Sequence, residues 1–185
     1  MVSWRAFGLS ITRQHDARPP WRADQSEPQI PVYEPLLHVV LYQPEIPHNT
    51  GSVGRTCVAV GAKLWLVRPL GFRLDDYYLR RAGLDYWEQL NWEAVDDWTA
   101  LGERLPIERA WFFSKRAERP YTDVQYLAGD IFVFGRESAG LPDELIEAHR
   151  ERLLRVPIRP AARSLNLSNA AAIALFEARR QNDWQ

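Results

Sequence analysis

A chain of 185 residues with 46% hydrophobic content and eight Trp can bury one substantial core, with length left for an appendage. Its formal net charge of −1 counts against a protein that coats nucleic acid non-specifically, while leaving room for a local basic face. A single cysteine, Cys57, excludes an intrachain disulfide and a cysteine-based zinc cluster, which fits a reducing, cytoplasmic setting; no apolar run approaches the roughly 18 residues of a membrane helix, and the N-terminus lacks the apolar stretch of a secretory signal.

Residues 1–35 stand apart. They hold Pro19, Pro20, Pro28, Pro31 and Pro35, and the charges of Arg5, Arg13, Arg18 and Arg22 cancel against Asp16, Asp24, Glu27 and Glu34. No strand or helix period persists there, so the composition predicts a flexible N-terminal extension ahead of a functional domain over 36–185. Packing of this tail through Trp4, Phe7 and Trp21 is the alternative.

From there the pattern alternates. An apolar strand is predicted over 36–42, interrupted only by His38, then a helix of small residues over 50–60 and a strand over 63–67. Helices over 75–82 and 95–104 follow, then an aromatic strand over 109–114 and another strand over 131–134. A helix over 142–152 opens on Pro142; a strand over 153–158 and a closing helix over 168–181 complete the series. Apolar strands separated by helices predict an α/β fold with a mainly parallel sheet covered by helices on both faces.

Three polar loops each follow an apolar strand, the sequence form of an α/β ligand site. They are Pro47-His48-Asn49-Thr50-Gly51-Ser52-Val53-Gly54-Arg55, the Gly135-Arg136-Glu137 turn, and Arg163-Ser164-Leu165-Asn166-Leu167-Ser168-Asn169. Neither a dinucleotide fingerprint nor a P-loop is present, and His15, His38, His48 and His149 lack metal-ligand spacing. His38, inside a strand, reads as a satisfied core residue. Gly135-Arg136-Glu137-Ser138-Ala139-Gly140 places its serine one position too late for a hydrolase elbow, so a ligand turn is the better reading. Ser168 or Asn169 can cap the closing helix, whereas Ser164 and Asn166 precede that cap and are free to hold a ligand or organise the loop. Arg80-Arg81, Lys115-Arg116, Arg119, Arg155, Arg159 and Arg163 lie near loops or strand ends and suit phosphates.

Together these blocks resemble the SPOUT class of RNA methyltransferases, specifically the subfamily that methylates the ribose 2′-hydroxyl of the tRNA wobble nucleotide. The resemblance runs over about 37–181 and rests on Leu41-Tyr42-Gln43-Pro44-Glu45-Ile46-Pro47-His48-Asn49-Thr50-Gly51, Arg80-Arg81-Ala82-Gly83-Leu84-Asp85-Tyr86, Phe134-Gly135-Arg136-Glu137 and the 163–169 loop. It implies a C-terminal deep trefoil knot, S-adenosyl-L-methionine (SAM) as cofactor, no metal, the tRNA anticodon loop as substrate, and a homodimer whose active site draws on both subunits. It puts cofactor contacts on Phe113, Gly135, Val156 and Ser164, with the backbone around Glu137, Ile158 and Leu165 completing the pocket. Phe176 stands where relatives often carry a tyrosine, so no hydroxyl role is expected there.

The expected reaction is methyl transfer to a ribose oxygen that sheds its proton, so developing negative charge needs a stabiliser. Arg55 matches the arginine the class uses at the acceptor; it is too basic to take a proton, so its expected role is orientation and charge stabilisation. Asn49 and Glu137 are expected to orient the arginine or its loop, Asn166 to brace the knot, and Arg80, Arg81 and Arg163 to meet tRNA phosphates. The proton acceptor stays unassigned. Another RNA target within the class and a knotted RNA-binding module without catalysis are the competing readings.

Overall fold

The computed structural model describes residues 35–74 and 87–182. Within them, six strands form one sheet in the order β3-β2-β1-β5-β4-β6, every pair parallel. The strands are β1 (Leu37–Tyr42), β2 (Ala62–Val67), β3 (Trp92–Val95), β4 (Ala110–Phe113), β5 (Asp130–Phe134) and β6 (Leu153–Leu154). Helix α1 (Pro47–Val60) follows β1, α2 (Trp98–Gly102) follows β3, α3 (Asp143–Ala148) follows β5, and α4 (Leu167–Asn182) closes the described chain.

The apolar strand runs sort by alternation onto two faces, as a period of two dictates. Leu37, Val39 and Leu41 of β1 join Leu64, Leu66, Phe132 and Phe134 on one face, where Val53, Cys57 and Val60 of α1 and Ala171, Ala174, Leu175 and Ala178 of α4 cover them. The small residues on α4 recur at spacings of three and four, so one helix face lies close against the sheet and α1. Val40, Val67, Phe112, Ile131 and Val133 point the other way, against Leu101 of α2 and Ile146 of α3. Helices therefore cover both faces, as the alternating pattern predicts.

Several details differ from the expectation, among them the helix expected over 142–152, which ends at Ala148 and gives way to a 3-10 turn over Arg150–Arg152. Helix α1 begins at Pro47, because proline suits the first helical position, and ends at Gly61, whose φ of 77° forms the cap. Residues 92–95, which the sequence analysis assigns to no strand, form the edge strand β3, where Glu93 pairs with Lys63 of β2 at 3.0 Å. The helix expected over 95–104 shortens to α2, capped by Asp97, whose side chain accepts from Ala100 N at 2.8 Å. The strand expected over 153–158 stops at Leu154: Arg155 N donates to Arg119 O and Tyr121 N donates to Arg155 O, both at 2.9 Å, and the chain then turns away. The helix expected over 75–82 and the 1–34 segment lie outside the described residues.

His38 behaves as a core residue: its Nδ1 accepts from Trp65 Nε1 at 3.0 Å, and burial, together with the charges of Lys63 and Arg109, pushes its pKa down to about 4.

Candidate active site

Because every strand is parallel, all C-terminal ends lie at one edge. The chain builds outward from β1 through β2 to β3, then returns to build β4, β5 and β6 on the other side, so β1 and β5 flank the switch point. Ligand crevices in open α/β sheets form at such a point. A cavity of about 370 Å³ lies there, lined by Ile46 before α1 and Asn49 in its first turn, by Phe113 of β4 and the following turn to Arg116, by Phe134 of β5 and its turn to Leu141, and by Val156, Ile158 and Ser164 to Asn166 before α4 with Leu167 at its start.

All four expected cofactor residues, Phe113, Gly135, Val156 and Ser164, line this one cavity, as do Asn49 and Glu137. Phe113 and Phe134, partners in the β4–β5 register, stack at 4.7 Å with their rings 17° apart and form an aromatic wall. The opposite wall is polar. Glu137 accepts from Glu45 N at 2.8 Å, Ile46 N at 3.3 Å and Asn49 Nδ2 at 3.0 Å. Since Ile46 precedes the first turn of α1 and offers no side-chain cap, this carboxylate supplies from another loop the negative group that a helix N-terminus favours.

The network continues to the third loop. Asn166 Nδ2 donates to Asn49 Oδ1 at 2.9 Å, while Asn166 Oδ1 accepts from Ser168 N at 2.9 Å and Ser168 Oγ at 2.7 Å. The cap of α4 is therefore Asn166, two or three positions earlier than the Ser168 or Asn169 expected from sequence; one amide both caps this helix and reaches α1. Glu45, which sequence reasoning left without a role, returns the clasp of Glu137: its carboxylate accepts from Ser138 N at 2.9 Å and Ser138 Oγ at 2.8 Å. Those two bonds, the side-chain one foremost, hold the Glu45 carboxyl below the usual carboxylate range.

Gly135 has a reason that its sequence context does not reveal. A Cβ there would overlap the backbone of Gly140 and Leu141, so the residue is small because the turn folds back onto it, whatever a ligand does. Reciprocal bonds close that turn, Arg136 N to Gly140 O at 3.0 Å and Gly140 N to Arg136 O at 2.9 Å, with Gly140 at φ 73°.

The expected cations are dispersed. Arg55 is exposed on α1 and does not line the cavity; Arg163 is exposed beside Ser164, also outside the lining. Arg80 and Arg81 lie outside the described residues. Ser114 and Lys115, which do line the cavity, escape assignment from sequence beyond a general basic cluster; their place directly after an aromatic strand is the signal. Among the described residues, no group of three or more His, Cys, Asp or Glu could hold a metal, and no helix is long and apolar enough to cross a membrane.

Residues 36–176 match the model of the SpoU rRNA Methylase family. The chain belongs to that family. A tRNA (cytidine(34)-2'-O)-methyltransferase of Burkholderia cenocepacia is 48% identical over 153 residues, 81% of this chain and 98% of the relative. A solved structure described as giving structural insights into the 2-OH methylation of C/U34 on tRNA is 46% identical, with a TM-score of 0.75 over 78% of this chain and 95% of that one. The SpoU methyltransferase AviRb of Streptomyces viridochromogenes, solved in complex with the cofactor AdoMet, is 25% identical with a TM-score of 0.73, covering 83% of this chain and 63% of that one.

Proposed function

We propose that this protein is a SAM-dependent tRNA 2′-O-methyltransferase acting on the wobble nucleotide, cytidine or modified uridine 34. The observation that carries the reading is identity of 48% along nearly the full length of a relative of that activity. The cavity agrees with it. Its volume, stacked aromatic wall and polar loops suit a ligand with a purine at one end and charged groups at the other. Phe113, Gly135, Val156 and Ser164, with the backbone around Glu137, Ile158 and Leu165, would hold the adenosine.

When bound, SAM supplies a methyl group on a sulfonium, an activated electrophile that needs no metal. The protein's part is to position the acceptor and stabilise charge as the ribose oxygen gives up its proton. Asn49, Glu137 and Asn166 fix the three loops against one another. Arg55 stabilises the acceptor oxygen. Because it is exposed and outside the cavity of its own chain, it acts at the site of a second copy, and the enzyme works as a homodimer. Arg163, with Arg80 and Arg81, meets tRNA phosphates of the anticodon arm, in the cytoplasm where tRNA is modified.

We also propose that the segment from Arg155 into α4 is the threaded part of a deep trefoil knot. Contacts of the 119–126 loop with both ends of that segment support this: Arg155 pairs with Arg119 and Tyr121, and Gln181 accepts from Tyr126 N at 2.9 Å. Residues 1–35 lie outside the catalytic unit.

The test is transfer of labelled methyl from SAM to bulk tRNA and to ribosomal RNA, followed by mapping of the modified nucleotide. Label on the ribose of nucleotide 34 is the expected result. Label in ribosomal RNA alone would overturn the substrate, and no transfer would overturn the enzyme.

A further inference from the structure

We infer that Lys115 is a cofactor-binding residue, holding the carboxylate of the amino-acid end of the cofactor; the inference rests on the methyltransferase reading above. Lys115 lines the cavity at the turn that follows β4, two residues beyond Phe113 of the aromatic wall. Its side chain is exposed at the lip, and among the described residues no acid is paired with it. The other cations of the lining are engaged. Arg116 is bonded to Asp143, and Arg136 lies close enough to Glu45 to favour its ionised form.

The charge pattern determines which end of the ligand belongs there. SAM carries one anionic group, the carboxylate, and two cationic ones, the sulfonium and the ammonium. A lysine at the lip attracts the first and repels the other two, so it orients the ligand with its adenosine toward Phe113 and Phe134 and its carboxylate outward. Ser114, which also lines the cavity, sets the turn by accepting from Arg116 N at 3.2 Å through its hydroxyl. A lysine on a flexible stem acts as a point charge and needs no fixed fork geometry to serve this end.

The test is calorimetric titration of the full-length protein with two probes, S-adenosylhomocysteine and 5′-methylthioadenosine. Both carry the adenosine and a neutral thioether; only the first has the aminocarboxylate. Lys115→Met is expected to weaken S-adenosylhomocysteine by about three- to tenfold, the range of an exposed charge-assisted contact. The affinity for methylthioadenosine should stay within about twofold, and Lys115→Arg should recover most of the loss. Equal losses for both probes, or no loss for either, would overturn the inference. So would a variant that keeps both affinities and binds tRNA more weakly, which would make Lys115 a phosphate contact. Failure of the wild type to bind either probe would overturn the methyltransferase reading itself, and the carboxylate anchor with it.

Discussion

Asn166 Nδ2 donates to the Oδ1 of Asn49 at 2.9 Å across 117 positions of sequence. Asn49 is 4% exposed, so its amide has no water to fall back on and depends on Asn166 on one side and Glu137 on the other. The bond joins the first turn of the first helix to the cap of the last, directly beside the cavity.

Removing that bridge should be costly in a way that separates its two functions. Asn166→Ala orphans a buried acceptor, at about 1–3 kcal/mol, and removes a helix cap, at about 1 kcal/mol more. Asn166→Asp keeps the cap but sets a carboxylate oxygen against the Asn49 oxygen, so the bridge is replaced by a repulsion. Urea denaturation of both variants sets the cap against that repulsion; an Asn166→Asp variant less stable than Asn166→Ala would mean that the repulsion outweighs the cap.

Gly135→Ala should destabilise the protein before any ligand is considered. Its methyl group meets the Gly140–Leu141 backbone, which can retreat only by opening the 136–140 turn. The cost is about 1–3 kcal/mol, as for other overpacked sites. Thermal unfolding without ligand is the measurement, and an unchanged melting temperature would show that the turn yields freely.

Arg55→Ala should lower single-turnover methylation of tRNA by about 100- to 1,000-fold and leave SAM affinity unchanged, because the arginine lies outside the cavity lining. If two chains share each site, mixing Arg55→Ala with a cavity-filling Val156→Trp should restore roughly a quarter of wild-type activity, from one good site in the half of dimers that are mixed. Mixtures with no activity would place Arg55 and the cavity it serves in the same chain.

Acid should destabilise the fold through His38. The imidazole titrates at 6.5 when unperturbed and at about 4 in the folded protein. Between these values the unfolded chain takes up a proton that the folded one refuses, so stability falls as the pH drops from 6.5 to 4 and the contribution is fully lost below that window. His38→Gln retains an acceptor for Trp65 and removes the titration, so its melting temperature should fall less steeply over this window. Parallel profiles for the two proteins would assign the acid sensitivity elsewhere.

Apolar runs made much of this architecture legible. Strands β1, β2, β4 and β5 are continuous enough to read directly; Gly135 and Ser164, singled out by their polar loops, and Phe113 and Val156, implied only by the family resemblance, all line one cavity. Strand β3 was hidden because it is an edge: Trp92, Glu93 and Ala94 are only partly buried, and Glu93 takes its partner from β2. The cap at Asn166 and the Glu45–Ser138 clasp were hidden for another reason. They depend on which loops meet in space, and no local spacing encodes a bond across 93 or 117 positions.

The cavity at the switch point also sets an order of events during synthesis. Its walls come from the segments around residues 46–49, 113–116, 134–141 and 156–170, so the last wall is made only after the rest of the sheet is in place. Residues before Ser164 supply the aromatic wall and the Glu137 clasp, and Ser164 to Ala170 supply the side of the cavity that is made last. The cavity is thus complete only once the chain has been made through the final helix cap at Asn166.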